Sequence, residues 1–564
     1  MRVLASLCLV ACLLFPATGC RDGAGADPVQ ADLIMTGGQV LTLTDAEADA
    51  GVRPTAVAMS DGRIVYVGDD AGARRYSGDL TRAIDLKGKF VVPGFNDSHC
   101  HLYGLGKALA EINLNGTISA EDVVSRVASA TAEVPGDGWL QGRGWDQNDW
   151  PVQEYPDREL LDEVTGSRPA LLRRVDGHAA WANSAALELA GISNDTADPA
   201  GGAIIRNRQG RPTGILVDNA VDLVREVIPE PEPAEVERRI LLAIDHCLQN
   251  GITGVHTAGV SWRRVQLYRE LDAAGKLGLR VYGMLDDKPE ALEPGLAHGP
   301  ILPEDGFFTL RAVKLYADGA LGSRGALLLD DYQDRPGHRG LPVTGTDHMA
   351  QVARQAGRAG FQICTHAIGD GANRVVLDMY AEILGELALA DARWRIEHAQ
   401  ILAPADIPRF VELGVIAAMQ PVHCTSDMDW ADERLGTERL AGCYAWRSLV
   451  ESGAHLCWGT DFPVEAVSPL AGLYSARTRT HADGTPIGGW QPQECLDGLT
   501  ALELYTAGSA YAEFREDDMG RIAPGFVADL TVLDGDPVGC ADGDLLSMQI
   551  EMTVVDGKVA YLRH

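Results

Sequence analysis

Two histidines one residue apart, His99 and His101, close the segment 90–101, with Cys100 between them. In an extended strand residues i and i+2 point to one side, so both imidazoles can reach a single ion. Three more residues of ligand type end apolar runs in the same way: His366 after 361–365, His398 after 394–397 and Asp461 after 455–460. Neutral imidazoles with a carboxylate suit zinc, and an open coordination position can hold a water molecule for activation. One or two divalent cations would bring the pKa of that water towards ~7 and polarise a scissile carbonyl. Lys314, inside the run 310–316, fits less simply, because an ammonium is a poor neighbour for a cation.

One frame must bring these side chains together. The middle of the chain alternates helical and strand-like runs: 234–250 carries Val236, Ile240, Leu241, Ile244 and Leu248 at helical spacing, stops at Gly251 and passes into the strand 252–256. Such repetition implies a parallel sheet, either closed into a barrel or doubly wound. The runs that would place a polar residue at their C-terminal end are 90–101, 252–256, 281–286, 310–316, 361–366, 394–398, 415–420 and 455–461. Eight is the strand number of a TIM barrel, which takes roughly 31 residues per βα unit. His366 to His398 is 32 residues, one unit, and His398 to Asp461 is 63, two units, so the ligands fit strands five, six and eight. Lys314 lies 52 residues before His366, which fits strand four followed by a loop enlarged by 319–339.

The ends of the chain read differently. Short strands and tight turns, with hairpins on Asp61-Gly62 and Asp556-Gly557, occupy both termini. The expected architecture is an α/β fold: a (β/α)8 TIM barrel over 93–519, and a small β-sandwich domain built from 31–92 and 520–564. A long insertion, 105–230, follows the first barrel strand as a lid and includes the strand-like run 169–175.

The order HxH after strand one, lysine after four, histidine after five and six and aspartate after eight resembles the ligand order of the amidohydrolase superfamily. The phrases Val313-Lys314-Leu315-Tyr316-Ala317-Asp318-Gly319, Thr365-His366-Ala367-Ile368-Gly369-Asp370, Ile396-Glu397-His398-Ala399-Gln400 and Gly459-Thr460-Asp461-Phe462-Pro463-Val464 are similar to its branch containing N-substituted formamide deformylase. The resemblance runs from about Ala31 to the C-terminus. It implies that His99, His101, Lys314, His366, His398 and Asp461 hold one or two divalent ions, zinc above all. It also implies that Asp461 accepts the proton of the activated water and delivers it to the leaving amine, and that Lys314 carries carbon dioxide as a carbamate bridging two ions. His366 or His178 would stabilise the oxyanion, Asp318 and Arg324 would orient substrate, and Trp145 would wall an apolar pocket. His256 and His423 also fall near strand ends, where the resemblance implies no ligand.

The expected reaction is hydrolysis of a non-peptide C–N bond in a small-molecule amide, N-substituted formamide or cyclic imide. Ester, lactone or phosphoester hydrolysis on the same site is the alternative enzyme, and a metal- or ligand-binding surface lipoprotein the alternative without catalysis. With 48 Lys+Arg against 80 Asp+Glu the 564-residue chain has a net charge of −32, which argues against nucleic acid as a partner. Arg2 and the apolar run 3–15 read as an export leader over 1–19, too short to span a bilayer. Ala17-Thr18-Gly19-Cys20 resembles a lipoprotein cleavage site, with Ala17 where that pattern has leucine. Cys20 would be the lipidated first mature residue, 20–30 a tether, and the protein an exported lipoprotein anchored on the periplasmic or cell-surface side through its lipid alone. No CxxC pair occurs among the eleven cysteines, so spacing supports neither a zinc ribbon nor a small disulfide scaffold.

Overall fold

The computed structural model describes residues 29–44, 53–133, 138–175, 178–199, 201–303, 305–389 and 391–564; the expected leader, Cys20 and the tether up to residue 28 lie outside them. Its central sheet has the strands β1 (Phe95–Cys100), β2 (Ile252–Val260), β3 (Arg280–Asp286), β4 (Phe308–Tyr316), β5 (Gln362–Ala367), β6 (Arg395–His398), β7 (Ile416–Met419) and β8 (Leu456–Trp458). Each pairs in parallel with the next. The segment after β8 returns to β1: Asp461 N donates to His99 O, and His101 N donates to Phe462 O, both at 2.8 Å. The result is the expected barrel.

That seam requires a glycine. A Cβ on Gly459 would stand 2.4 Å from the His99 nitrogen and 2.5 Å from Asp97 Oδ1. Asp97, fully buried, pins both sides: its carboxylate accepts from Thr460 Oγ1 at 2.6 Å, from Thr460 N at 3.1 Å and from His99 N at 3.2 Å.

Helices pack outside the sheet for the reason their sequences give. Pro233–Gln249 begins on a proline, whose missing N–H is an unsatisfied donor position in any first turn, and buries Ile240, Ala243, Ile244, Cys247 and Leu248 along one side. Gly251, at φ +78°, then turns the chain straight into β2. Before β5 the helix Thr346–Arg358 does the same with Met349, Val352, Ala353 and Ala356.

The segment 90–101, expected as one strand, is two. Phe90–Pro93 pairs antiparallel with Leu530–Leu533 in the sheet at the chain ends, whereas Phe95–Cys100 enters the barrel. Proline offers no N–H at position 93, and a Cβ on Gly94 would meet the Thr253 side chain at 2.2 Å. The chain changes sheets at this point, and His101 falls just past β1 at the start of the helix Leu102–Ala110.

Two sheets form the small β domain. One orders Arg63–Gly68, Ala56–Ser60, Leu33–Thr36 and Arg82–Asp85; the other orders Gln39–Val40, Phe90–Pro93, Leu530–Leu533, Ile550–Val555 and Lys558–Leu562. Met35, Val57, Met59, Val91, Val532 and Val554 belong to the core they share. Between β1 and β2 the insertion builds its own six-stranded sheet, in which Ala170–Arg174 lies between Leu140–Trp145 and Ala179–Ala182.

Candidate metal centre

Five strands and their ends deliver six candidate side chains to the C-terminal end of the barrel. His99 comes from β1 and His101 follows it, Lys314 lies on β4, His366 on β5 and His398 on β6, and Asp461 follows β8. The Nε2 atom of His99 is 3.4 Å from Lys314 Nζ and 3.7 Å from Asp461 Oδ1, and His101 Nε2 is 3.3 Å from the same oxygen. The His398 ring centre lies 4.9 Å from that of His99 and 4.5 Å from that of His366. All six expected ligand residues therefore converge. Among the described residues, His99, His398 and Asp461 form a group whose ligand atoms lie within 4.8 Å of one another.

The backbone is bent to make this possible. His398 and Asp461 have φ of +75° and +59°, a left-handed conformation that non-glycine residues hold only where the surroundings impose it. Ring orientation is fixed from behind. His398 Nδ1 faces Gln420 Oε1 at 2.7 Å, an acceptor, so that nitrogen donates and Nε2 keeps its lone pair. His99 Nδ1 donates in the same way to Glu397 Oε2, and its Nε2 faces Asp461. Glu397 is fully buried and carries a negative charge because Arg395 grips it with two N–H groups, at 2.8 and 2.9 Å. The same guanidinium donates to Ser98 O at 2.6 Å and to His256 Nδ1 at 2.8 Å. His256 thus belongs to a polar strut inside the barrel and not to the ligand cluster.

Burial sets the protonation states. It holds His99 down to about 4 and His366 down to about 3, in both cases with help from the Lys314 charge, and places His398 well below the usual histidine range. These imidazoles are neutral at physiological pH, the form that binds metal. Burial also lowers Lys314. It opposes ionisation of Asp461, but the close His101, His99 and His423 rings outweigh it and take the carboxyl to about 2.

The residues fit a divalent cation. Asp461 Oδ1 and His366 Nε2 are buried with no hydrogen-bond partner, an arrangement that costs on the order of 1–3 kcal/mol per group unless something else satisfies it. Both are metal-ligating atoms, and both belong to the cluster.

Other expected site residues lie elsewhere or do different work. Trp145 is no pocket wall: it is fully buried in the insertion's own core, against Trp150 and Trp181, and donates to Leu172 O at 2.8 Å. Asp318 is 2% exposed, and its carboxylate accepts from the backbone of Leu327, Ile368 and Gly369 at 2.7 to 3.0 Å, so it anchors the loops after β4 and β5. Its Oδ1 also stands 3.5 Å from His366 Nε2. Arg324 pairs with Asp334 through two bonds of 3.1 and 2.6 Å. His178 lies on the insertion with 77% of its side chain exposed and Nδ1 2.8 Å from Asp218, outside the buried cluster.

His423, given no role in the sequence, is brought to the cluster. It sits on the helix Pro421–Asp427 that follows β7, with Nε2 3.3 Å from Asp461 Oδ2. The position of a histidine three residues past a barrel strand was the available signal. Glu397, Arg395 and Gln420 were also passed over, although two charged residues at i and i+2 on an interior strand mark a buried pair.

Comparison with known proteins agrees with this geometry. Residues 82–561 match the model of the amidohydrolase family. The chain is 34% identical over 540 residues to the putative amidohydrolase YtcJ of Bacillus subtilis (strain 168), covering 94% of this chain and 99% of that protein. It is 30% identical over 534 residues to the N-substituted formamide deformylase of Arthrobacter pascens, covering 90% and 95%. A solved structure of an uncharacterized metal-dependent hydrolase from Pyrococcus furiosus has a TM-score of 0.74 at 30% identity, covering 90% of this chain and 99% of that one. With a match of this extent and a cluster of metal-ligating side chains at the mouth of the barrel, the chain belongs to the amidohydrolase family and is a hydrolase of carbon–nitrogen bonds.

Proposed function

We propose that the protein is a zinc-dependent hydrolase of small amides, N-substituted formamides or cyclic imides, with Asp461 as general acid and base. The observation that supports this reading most directly is the buried, unpartnered Oδ1 of Asp461 among His99, His101 and His398. His99, His101, His366, His398 and Asp461 would hold the metal, which supplies a more acidic water and a polarised carbonyl when bound. Asp461, ionised at neutral pH, receives one proton at Oδ2 as water adds to the carbonyl carbon. It returns that proton to the nitrogen as the C–N bond breaks, so that amide and water give acid and amine. His366 is the side chain proposed to face the developing oxyanion.

Lys314 is proposed to react with carbon dioxide, releasing one proton, and to bridge two zinc ions as a carbamate. Its support is burial to 1% exposure, which favours the neutral amine that such a reaction needs, and the proximity of His99. A saturating stoichiometry of one metal per chain would remove this part of the reading.

The experiment is a panel of N-acyl amines, N-substituted formamides, imides and esters offered to the zinc-loaded protein, with amine release and acid formation both measured. Turnover of an amide or imide, reduced by about 10²–10⁴-fold in Asp461→Asn, is expected. Cleavage of esters with every C–N substrate untouched would overturn the proposal. We further propose export and anchoring by a lipid on Cys20, on the strength of the residues 1–20 alone.

A further inference from the structure

We infer that His423 is a positioning residue for Asp461, holding the Oδ2 edge of the carboxylate so that Oδ1 alone is presented to the metal. The inference rests on Asp461 being a ligand. The two oxygens of this one carboxylate face different histidines: Oδ1 faces His101 at 3.3 Å and His99 at 3.7 Å, while Oδ2 faces His423 at 3.3 Å. The Nε2 atom of His423 is buried and has no hydrogen-bond partner, so nothing else in the structure competes for it.

Its surroundings fix the ring. The His423 side chain is 14% exposed, it packs 6.0 Å from the His398 ring in an edge-on arrangement, and its Nδ1 edge faces Glu465 Oε1 at 3.7 Å. Glu465 is held in turn by Ser426 Oγ, which donates to Oε1 at 2.7 Å. A carboxylate thus lies on each edge of the imidazole, and carboxylate oxygens only accept, so the Nε2 edge meets Asp461 as the donor side of the ring. Helix Pro421–Asp427 starts immediately after β7, which places the ring at the level of the ligands, beside the seam where Asp461 joins β1.

The consequence is chemical. A carboxylate free to turn can bind a cation through both oxygens, and neither is then left to exchange a proton. With Oδ2 turned to the Nε2 edge of His423, that oxygen is kept off the metal and stays available to the water and the leaving nitrogen. His423 acts through Asp461 and touches neither metal nor substrate in this scheme.

The test uses the full chain reconstituted with cobalt(II), whose visible bands report coordination number and ligand arrangement, together with metal content and Kd. In His423→Phe, similar in shape but without a donor, the metal complement should be kept, with Kd raised about tenfold, and the cobalt bands should shift as Oδ2 becomes free to coordinate. His423→Gln, whose amide N–H can reach the same oxygen, should restore the parent bands in part. Parent bands in His423→Phe would show that the ring only packs and would overturn the inference. So would loss of metal in both variants, which would make His423 a ligand. Unchanged bands in Asp461→Asn would remove the ligand reading beneath the inference, and the inference with it.

Discussion

His99 shows how much of this centre is set by atoms that never meet the metal. Its Nδ1 proton goes to Glu397, whose charge is compensated by Arg395, so the imidazole has one tautomer and one direction. Glu397→Gln keeps the size of the side chain but replaces an ionised acceptor with an amide of fixed donor and acceptor ends, and it leaves the buried guanidinium of Arg395 without its counter-charge. Metal affinity in Glu397→Gln should fall by about 10–100-fold, measured by competition with a chromophoric chelator, while Arg395 and Ser98 keep their contact. Equal affinity in parent and variant would mean that packing alone orients His99. At this scale the sequence was legible where chemistry and spacing coincide. His99, His101, His366, His398 and Asp461 are residues of ligand type at strand ends, and strand ends recur at a near-regular interval, whereas Lys314 gained its ligand role only from the resemblance. Glu397 and His423 were not legible, because their partners, His99 and Asp461, are set by which strands face one another across the closed sheet. Trp145 was expected as a pocket wall, and the sheet of the insertion, which sequence spacing does not reveal, places it in that domain's own core.

The elements carry the ligands only as well as they meet. β1 and the segment after β8 approach so closely that Gly459 has no room for a methyl group. Gly459→Ala should cost on the order of 1–3 kcal/mol in global stability, read by denaturant unfolding of the metal-free chain. Because the displaced atoms are the His99 nitrogen and the Asp97 carboxylate, metal affinity should fall with it. A variant with parent stability would show that the seam can open without harm. The eight strands were visible as apolar runs ending in polar residues, and the helix Pro233–Gln249 as a 3.6-residue pattern. The break at Pro93-Gly94 was missed because the apolar run 90–92 continues into the polar stretch that ends in the two histidines, and it is the pairing of Phe90–Pro93 with Leu530–Leu533 that separates them.

For the molecule as a whole, the charge of −32 does not come from the cluster, where Asp461 is the sole acidic ligand expected and Glu397 is matched by Arg395. Among the described residues no helix is long and apolar enough to cross a membrane; the anchor proposed is the lipid at Cys20. Cys20→Ser should abolish incorporation of labelled fatty acid and move the protein from the membrane to the soluble fraction, with hydrolysis of the same substrate unaltered; continued membrane association would count against the anchor. The small β domain carries a further consequence, for the order in which the chain can fold. Lys89 pairs with Glu551, 462 positions later, and Phe90–Pro93 completes its sheet only beside Leu530–Leu533. A chain made from its N-terminus holds Val91 and its neighbours paired with Gln39–Val40 alone, their other side uncovered, until almost the last residue has emerged. Closing so long a loop is slow, and unpaired apolar strands aggregate in the meantime. The first strands to be synthesised are therefore among the last to be protected, and their shelter before completion has to come from outside the protein.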